Sequence, residues 1–209
     1  MQNHTSTPPI NKRRCIRIEY KPITNNKDVA YHVDLPLYCE YKNWWGETKT
    51  RIGVIGEDGG WFKSDPVGLT NWFFERCKEN KSDEKQLIRL VKYVKAWKDF
   101  IKGDTTFPSG MALTILLAKN YIPDIRDDIA FKETIRRAFN NHFCPLFCSD
   151  GISKPVEPFN NVIERLTSNQ LKTFISCFEQ LVDDAILAVK ELDKEKSIKI
   201  WRTHFDTRL

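Results

Sequence analysis

The sequence predicts an α+β fold in which a short β-rich segment precedes a larger helical one. Residues 14–63 alternate apolar and polar side chains with the two-residue period of strands, between polar and Gly-rich turns. Residues 64–209 instead repeat their apolar side chains at helical spacing. Strands grouped in one part of a chain and helices in another are typical of the α+β class. Residues 1–13 are polar, and we expect them to form a disordered lead-in.

The β-rich segment contains two clear strand patterns and a third, shorter one. The stretch RCIRIEYKPI (14–23) alternates apolar and polar residues. After the turn residues NNKD (25–28), the chain returns as AYHVDLPLYCEY (30–41), which we predict to be a second strand. The short polar loop between the two favours an antiparallel pair. RIGVIGEDGGWF (51–62) adds a short apolar run and a Gly-rich turn.

The helical segment carries several start signals. Asp65 and Pro66 are a predicted N-cap and first helical residue, Ser109 begins a nearly all-apolar helix, and Thr167 with Gln170 forms a capping box. The helix in EKQLIRLVKYVKAWKDFI places its apolar residues on one face, namely Leu87, Leu90, Val91, Val94, Trp97 and Ile101. The predicted helices cover residues 64–77, 84–101, 107–121, 129–141 and 167–192.

Composition limits the function classes only broadly. The net charge of +5 is mildly basic, which is compatible with anionic ligands such as nucleotides but does not by itself indicate nucleic acid binding. No run of 18 apolar residues occurs, so we expect no membrane-spanning segment. The N-terminus lacks the apolar region of a signal peptide, and we therefore expect the six cysteines to be reduced thiols in a cytoplasmic protein.

Asp34 is the most unusual residue of the β-rich segment because it lies within an otherwise apolar strand pattern. Aspartate is depleted in strands, and a buried carboxylate is costly unless it is paired or binds a metal. Val33 and Leu35 point to the opposite face, which can pack on the helices and leave Asp34 facing a cleft. Asp34 is therefore either a catalytic ligand or a side chain on a solvated strand face.

A site for metal-assisted nucleotidyl transfer needs several carboxylates, because two divalent cations must be held a few ångströms apart. The sequence contains no Gly-Ser dipeptide and no Asp-x-Asp. The acidic pairs Asp127-Asp128 and Asp183-Asp184 lie in or beside helical segments, with the wrong spacing for that role. Asp34 alone cannot assemble a two-metal site.

Two lysines and a serine are candidate ligands for phosphate. Lys92 and Lys95 are three residues apart and so share a helix face. Ser109 begins the next helix, where free backbone N–H groups and the helix macrodipole favour an anion. Together they could hold a triphosphate, although a solvated lysine face and an ordinary N-cap explain the same residues.

Two further clusters have alternative interpretations. HFCPLFCSD offers four potential zinc ligands, which are His142, Cys144, Cys148 and Asp150. Because a second ligand pair at the usual spacing is missing, we favour small buried thiols around a proline over a zinc site. The adjacent Trp44 and Trp45 could stack on a base or could cap the hydrophobic core.

The order of the motifs along the chain is more specific than any one of them. They are HVDLPLY, WFKSDPVGLTNWF, LIRLVKYVKAWKDF, FPSGMALTILLAKNY, KPVEPFNNVIERLTSNQ and IWRTHFD. Over roughly residues 14–206 this order resembles the cGAS/DncV-like nucleotidyltransferases (CD-NTases), which are bacterial cyclic-oligonucleotide synthases of antiphage signalling. The resemblance implies part of a polymerase-β-like palm, then a helical domain, and synthesis of second messengers from nucleoside triphosphates with Mg²⁺.

The resemblance also assigns residues. In the family, a Gly-Ser…Asp-x-Asp element supplies two metal-binding carboxylates and a later strand supplies the third, which Asp34 in HVDLP matches. A lysine on the long helix and a serine on the next helix hold the triphosphate. Ser109 matches the serine, and Lys95 in VKAW matches the lysine, although Lys92 in LIRLVK aligns equally well.

The Gly-Ser…Asp-x-Asp element has no match in the 209 residues. We therefore expect the chain to begin after the first half of the palm and to be inactive alone. A second chain would supply the missing strands, or they were lost from the sequence. The alternative is a non-catalytic relative that binds a nucleotide or a protein.

Overall fold

The structure is a computed structural model, and it confirms the α+β class: among the residues that it describes, six strands come first and six helices follow. The chain divides into two compact units, Met1–Pro66 and Val67–Leu209. The structure describes residues 8–20, 32–54, 59–101, 106–144 and 151–205.

The first unit contains two antiparallel sheets of three strands each, in the orders β1-β2-β3 and β4-β5-β6. The predicted antiparallel pairing of the first two strand patterns is confirmed, since β2 pairs with β3. The turn predicted at 25–28 lies outside the described residues. The strands are β1 (Ile10–Lys12), β2 (Cys15–Glu19), β3 (His32–Leu35), β4 (Tyr38–Lys42), β5 (Thr48–Val54) and β6 (Gly60–Lys63).

The prediction of one continuous strand over residues 30–41 is wrong. The chain leaves the first sheet after β3, and β4 begins the second sheet. Pro36 lies at this break, where it has no N–H to donate to a ladder and restricts the backbone of the residue before it. The apolar face of β3 also differs from the expectation of burial, because Leu35 is 50% exposed and Val33 is exposed as well.

The second unit contains six helices, and the sequence signals for their starts are largely confirmed. The first helix begins at Pro66, Ser109 is the N-cap of α3, and Thr167 and Gln170 form the capping box of α5. The last helix, α6, has no counterpart among the predicted helices. The helices are α1 (Pro66–Cys77), α2 (Gln86–Ile101), α3 (Gly110–Asn120), α4 (Asp127–His142), α5 (Ser168–Lys190) and α6 (Lys194–Arg202).

The core of this unit lies among helices α2 to α5. The predicted apolar face of α2 is buried at Leu87, Leu90, Val91, Val94 and Trp97. Trp97 packs against Phe107, Phe174 and Phe178, with its ring centroid 5.7 Å from that of Phe178. This packing fixes α2 against the segment that leads into α3, which is where the candidate site lies. Among the described helices, none has both the length and the apolar character needed to cross a membrane.

Candidate functional site

The start of α3 is held in place by its cap and by the two residues before it. Ser109 Oγ accepts a hydrogen bond from the Ala112 N–H at 3.1 Å. Phe107 and Pro108, which precede it, are buried. The N–H groups of Gly110 and Met111 have no acceptor among the described residues, as expected for the first turn of a helix. The first turn therefore presents backbone donors and the positive end of the helix dipole.

The Lys95 side chain lies against this helix start. A Cβ atom added to Gly110 would be 3.3 Å from Lys95 Cε and 3.8 Å from Lys95 Nζ. Because Gly110 has no side chain, the end of the Lys95 side chain can lie close to the helix start. We call the group formed by Lys95, Ser109 and Gly110 the helix-start site.

The helix-start site is electropositive. Burial, and secondarily the nearby Lys98 ammonium, lowers the pKa of Lys95 below its ordinary value. No ion pair or hydrogen bond joins Lys95 to another described residue, whereas Lys98 lies 3.5 Å from Asp99. An anion bound beside Lys95 would offset the cost of burying its charge. The site can therefore accept a phosphate group through one ammonium and backbone N–H groups.

Lys92, the alternative lysine, is exposed on α2. It lies nearly one turn before Lys95, and within the described part of the chain it makes no ion pair or hydrogen bond. Of the two lysines that the sequence allowed, Lys95 is the one whose side chain is in contact with the residue after Ser109.

Asp34 is paired with an arginine across the first sheet. Arg17 lies directly opposite Asp34 in the β2–β3 register. Its Nε and Nη2 donate hydrogen bonds of 2.8 and 3.0 Å to the two oxygens of Asp34. These bonds lower the pKa of Asp34, and His32 Nε2 lies 3.9 Å from the same carboxylate. Asp34 is thus an ionised partner of a cross-strand ion pair.

The described residues do not fit the Mg²⁺ ions that the family resemblance implies. Both oxygens of Asp34 accept from Arg17, and no group of three or more His, Cys, Asp or Glu side chains in the described part of the chain could hold a metal. Asp34 as a metal ligand stays a prediction, and it requires the Arg17 pair to open and further carboxylates to approach.

The other two clusters lie elsewhere in the chain. Cys148 and Asp150 of the possible zinc site are outside the described residues. Burial lowers the pKa of His142, and its buried Nδ1 has no hydrogen-bond partner in the part of the chain that the structure describes. Trp44 and Trp45 are 94% and 82% exposed in the β4–β5 turn, so the interpretation that they cap the core is wrong.

Sequence reasoning did not identify Arg17 or Gly110 as members of these sites. Arg17 carried a weak signal, since it lies on the polar face of its strand, but its partner depends on the register with β3. Gly110 follows a recognised N-cap, yet only the packing of α2 on α3 shows that its missing Cβ makes room for Lys95.

No family model matches the chain, but curated proteins are similar to it. A cyclic AMP-AMP-AMP synthase from an Acinetobacter strain is 29% identical over 150 residues, which are 68% of this chain and 41% of that protein. A cyclic GMP-AMP synthase from Escherichia albertii is 34% identical over 101 residues, which are 47% of this chain and 21% of that protein. The chain thus spans less than half the length of these relatives.

Solved structures of DncV share the fold. The GTP-bound form from Vibrio cholerae matches with a TM-score of 0.70 and 20% identity, covering 96% of this chain and 51% of that one. The Escherichia coli protein bound to 3′-deoxy GTP matches with a TM-score of 0.66 and 20% identity, over 96% and 51% of the two chains. At these identities the structural match demonstrates a common fold.

Proposed function

Because the chain is a relative of the cGAS/DncV-like nucleotidyltransferases, we propose that it binds nucleoside triphosphates at the helix-start site. The observation that carries the proposal is the position of the Lys95 side chain against Gly110, beside the N-cap Ser109. Lys95 would neutralise phosphate charge, and the first-turn N–H groups and the Ser109 hydroxyl would donate hydrogen bonds to phosphate oxygens.

The electrostatics support the same ligand. A partly buried lysine beside a second lysine is destabilised as a cation, which the lowered pKa of Lys95 reflects. A triphosphate carries several negative charges and would remove that penalty on binding. The solved DncV structures include complexes with ATP and GTP, which supports a nucleoside triphosphate as the ligand class.

Calorimetric titration of the chain with ATP and GTP tests this proposal. Lys95→Ala should weaken binding by about 10-fold or more, because a hydrogen bond to a charged group is worth roughly 1.5–3 kcal/mol. Lys92→Ala is the matched control, since it removes an exposed lysine from the same helix and should change the affinity little. Binding that is lost with Lys92→Ala but retained with Lys95→Ala would contradict the assignment, as would a chain that binds neither nucleotide.

We further propose that the nucleotide-binding activity belongs to a synthase of cyclic oligonucleotides. The similarity to a cyclic AMP-AMP-AMP synthase and a cyclic GMP-AMP synthase supports this class. Catalysis by metal ions would need carboxylates in addition to Asp34, and the Gly-Ser…Asp-x-Asp element of the family has no match in the 209 residues. The non-catalytic alternative keeps triphosphate binding and lacks turnover. The Mg²⁺ requirement, a cytoplasmic location and a role in antiphage signalling are parts of this proposal.

A further inference from the structure

One face of the β4-β5-β6 sheet combines aromatic and basic side chains. The register places Cys39 opposite Arg51, Tyr41 opposite Lys49, Arg51 opposite Lys63, and Gly53 opposite Trp61. Because directly opposed residues point to the same side of a sheet, these side chains share one face. We call this surface the aromatic–basic face, and it consists of Tyr41, Lys49, Arg51, Trp61 and Lys63.

Two contacts show how the aromatic rings of this face are placed. The Arg51 guanidinium is centred 3.6 Å above the Tyr41 ring, in a cation–π contact. The Trp61 ring covers Gly53, because a Cβ on that glycine would be 3.4 Å from Trp61 Cζ3. Trp61 nevertheless remains 48% exposed. The face thus presents one exposed aromatic ring, that of Trp61, and one guanidinium, that of Arg51, which already contacts a ring.

The charged side chains on the strands of this face are all cationic. Its described strand residues include three cations and no carboxylate, since Glu40 points to the opposite face together with Lys42. Glu47, in the adjoining turn, lies 3.4 Å from Lys49. Arg51 and Lys63 are directly opposite one another, so these two cationic side chains lie side by side on this face.

The turn beside this face presents Trp44 and Trp45 on an ordered backbone. Asn43 Oδ1 accepts hydrogen bonds from the N–H groups of Trp45, at 3.0 Å, and Glu47, at 2.9 Å. The Gly46 N–H donates to the Asn43 carbonyl at 3.0 Å, and Gly46 has a φ of 78°, which a glycine adopts without strain. A ligand that stacks on these exposed rings would therefore meet a backbone that is already fixed.

We propose that the aromatic–basic face and the Trp44–Trp45 turn bind single-stranded nucleic acid. Unpaired bases stack on aromatic rings, while lysine and arginine neutralise the phosphates between them. Tyr41 and Trp61 lie on β4 and β6, about 10 Å apart across the sheet and offset by four residues, or about 13 Å, along the strands. Roughly 16 Å therefore separates the two residues, with Arg51 on the strand between them. A lipid surface would favour a continuous apolar patch, whereas here rings and cations alternate across three strands. The proposal concerns a ligand class beyond the nucleoside triphosphate of the helix-start site.

Fluorescence anisotropy with labelled oligo-dT and oligo-U of about 16 nucleotides tests this inference. The double variant Trp44→Ala, Trp45→Ala should bind at least about 10-fold more weakly, because stacking contributes roughly 1–3 kcal/mol per base. Arg51→Ala should weaken binding and reduce the slope of log affinity against log salt by about 0.7, the value for one phosphate contact on a single strand.

The controls use the opposite face and the other ligand. Lys42→Ala removes one cation from β4 on the side away from the aromatic–basic face, and it should leave oligonucleotide affinity unchanged. The tryptophan double variant should retain the ATP affinity of the parent and also its circular dichroism spectrum, which shows that the first unit is still folded.

Three outcomes would overturn the inference. The first is no oligonucleotide binding by the unaltered chain at about 50 mM salt. The second is an equal loss of affinity in Lys42→Ala and Arg51→Ala, which would mean non-specific charge attraction. The third is a double variant that keeps oligonucleotide affinity but loses binding to phosphatidylserine-containing vesicles or loses self-association, which would assign the turn to a lipid surface or to a second copy of the chain.

Discussion

Gly110 determines where the Lys95 ammonium can lie. The end of the Lys95 side chain would make an unusually close contact with a Cβ at position 110, because Lys95 Cε is only 3.3 Å from that position. The neighbour that would have to move is the flexible end of a side chain rather than backbone. A methyl group at this position should therefore displace the cation without disturbing the helix.

Gly110→Ala should separate nucleotide binding from stability. The free energy of unfolding should stay within about 1 kcal/mol of the parent, because alanine favours the helix and the lysine can shift. Affinity for ATP should fall by on the order of 5-fold, since the displaced ammonium loses part of a charge-assisted contact. Titration calorimetry and urea denaturation of the same variant measure the two quantities.

A double-mutant cycle controls this prediction. In the Lys95→Ala background, the substitution Gly110→Ala should have no additional effect on ATP affinity, because the group that it displaces is absent. An equal loss of affinity in both backgrounds would contradict the proposed role of Gly110. A large loss of stability in the single variant would mean that the helix start, rather than the lysine, had moved.

At the scale of elements, an ion-pair network joins α2 to the start of α4. Arg89 on α2 donates to both oxygens of Asp127, at 2.6 and 2.7 Å, and to Asp83 at 2.6 Å. Gln86 and Tyr93 also donate to Asp127. These bonds lower the pKa of Asp127 to about 2 from an ordinary value of 3.8. The network fixes the helix that carries Lys95 relative to its neighbour.

Asp127→Asn should destabilise the helical unit by about 1–3 kcal/mol at neutral pH, because Arg89 then loses a charged partner. The folded pKa of Asp127 is depressed, so its stabilisation is present above about pH 4 and is lost as the pH falls toward about 2. The parent should therefore lose stability over that range, and the variant should lose less. Guanidinium chloride denaturation monitored by circular dichroism at several pH values measures both effects.

The adjacent residue provides the matched control for Asp127. Asp128 also lies in the first turn of α4, but it pairs with the exposed Arg126 at 2.6 Å. Asp128→Asn should change stability by less than about 1 kcal/mol, as is usual for exposed ion pairs. Equal effects of the two substitutions would mean that the first turn of α4 responds to net charge rather than to the Arg89 network.

The helices were predictable because their signals are local. The apolar period of α2, the Ser109 cap and the Thr167–Gln170 capping box all act within a few residues. Helix α6 has nine residues and a weakly apolar sequence, so its period was a weaker signal, although Asp193 caps its start. Pro36 is itself a residue that interrupts strands, but the apolar residues around it suggested one continuous strand.

The contacts that define the sites depend on longer-range geometry. The sequence suggested Lys95 and Ser109 as parts of one triphosphate site, but the close approach of Lys95 to Gly110 follows from how α2 packs beside α3. The Arg17–Asp34 pair follows from a register that a one-residue slip would abolish. The aromatic–basic face likewise needs three strands in register, which explains why composition alone did not indicate it.

For the molecule as a whole, the residues assigned by the family resemblance are divided between two units. Asp34 lies in the unit Met1–Pro66, whereas Lys95 and Ser109 lie in the unit Val67–Leu209. The described residues place Lys95 against the start of α3, where we propose that phosphate binds, and they contain no group of three or more side chains that could hold a metal ion. Substrate binding and metal-dependent chemistry should therefore be separable in this chain.

Assays of nucleotide turnover test whether substrate binding and metal-dependent chemistry are separable. The chain alone, supplied with ATP, GTP and Mg²⁺, should bind nucleotide without forming products, because one carboxylate cannot hold two metal ions. Addition of a polypeptide that carries the Gly-Ser…Asp-x-Asp strands of a relative should produce nucleotide oligomers, detected by anion-exchange chromatography. Asp34→Ala should then abolish the products, whereas Glu40→Gln, which alters an exposed carboxylate of the same unit, should not.

Product formation by the chain alone, or by the complemented Asp34→Ala variant, would contradict the role proposed for Asp34. Triphosphate binding with no turnover after complementation would favour the non-catalytic alternative, since the helix-start site would still be occupied.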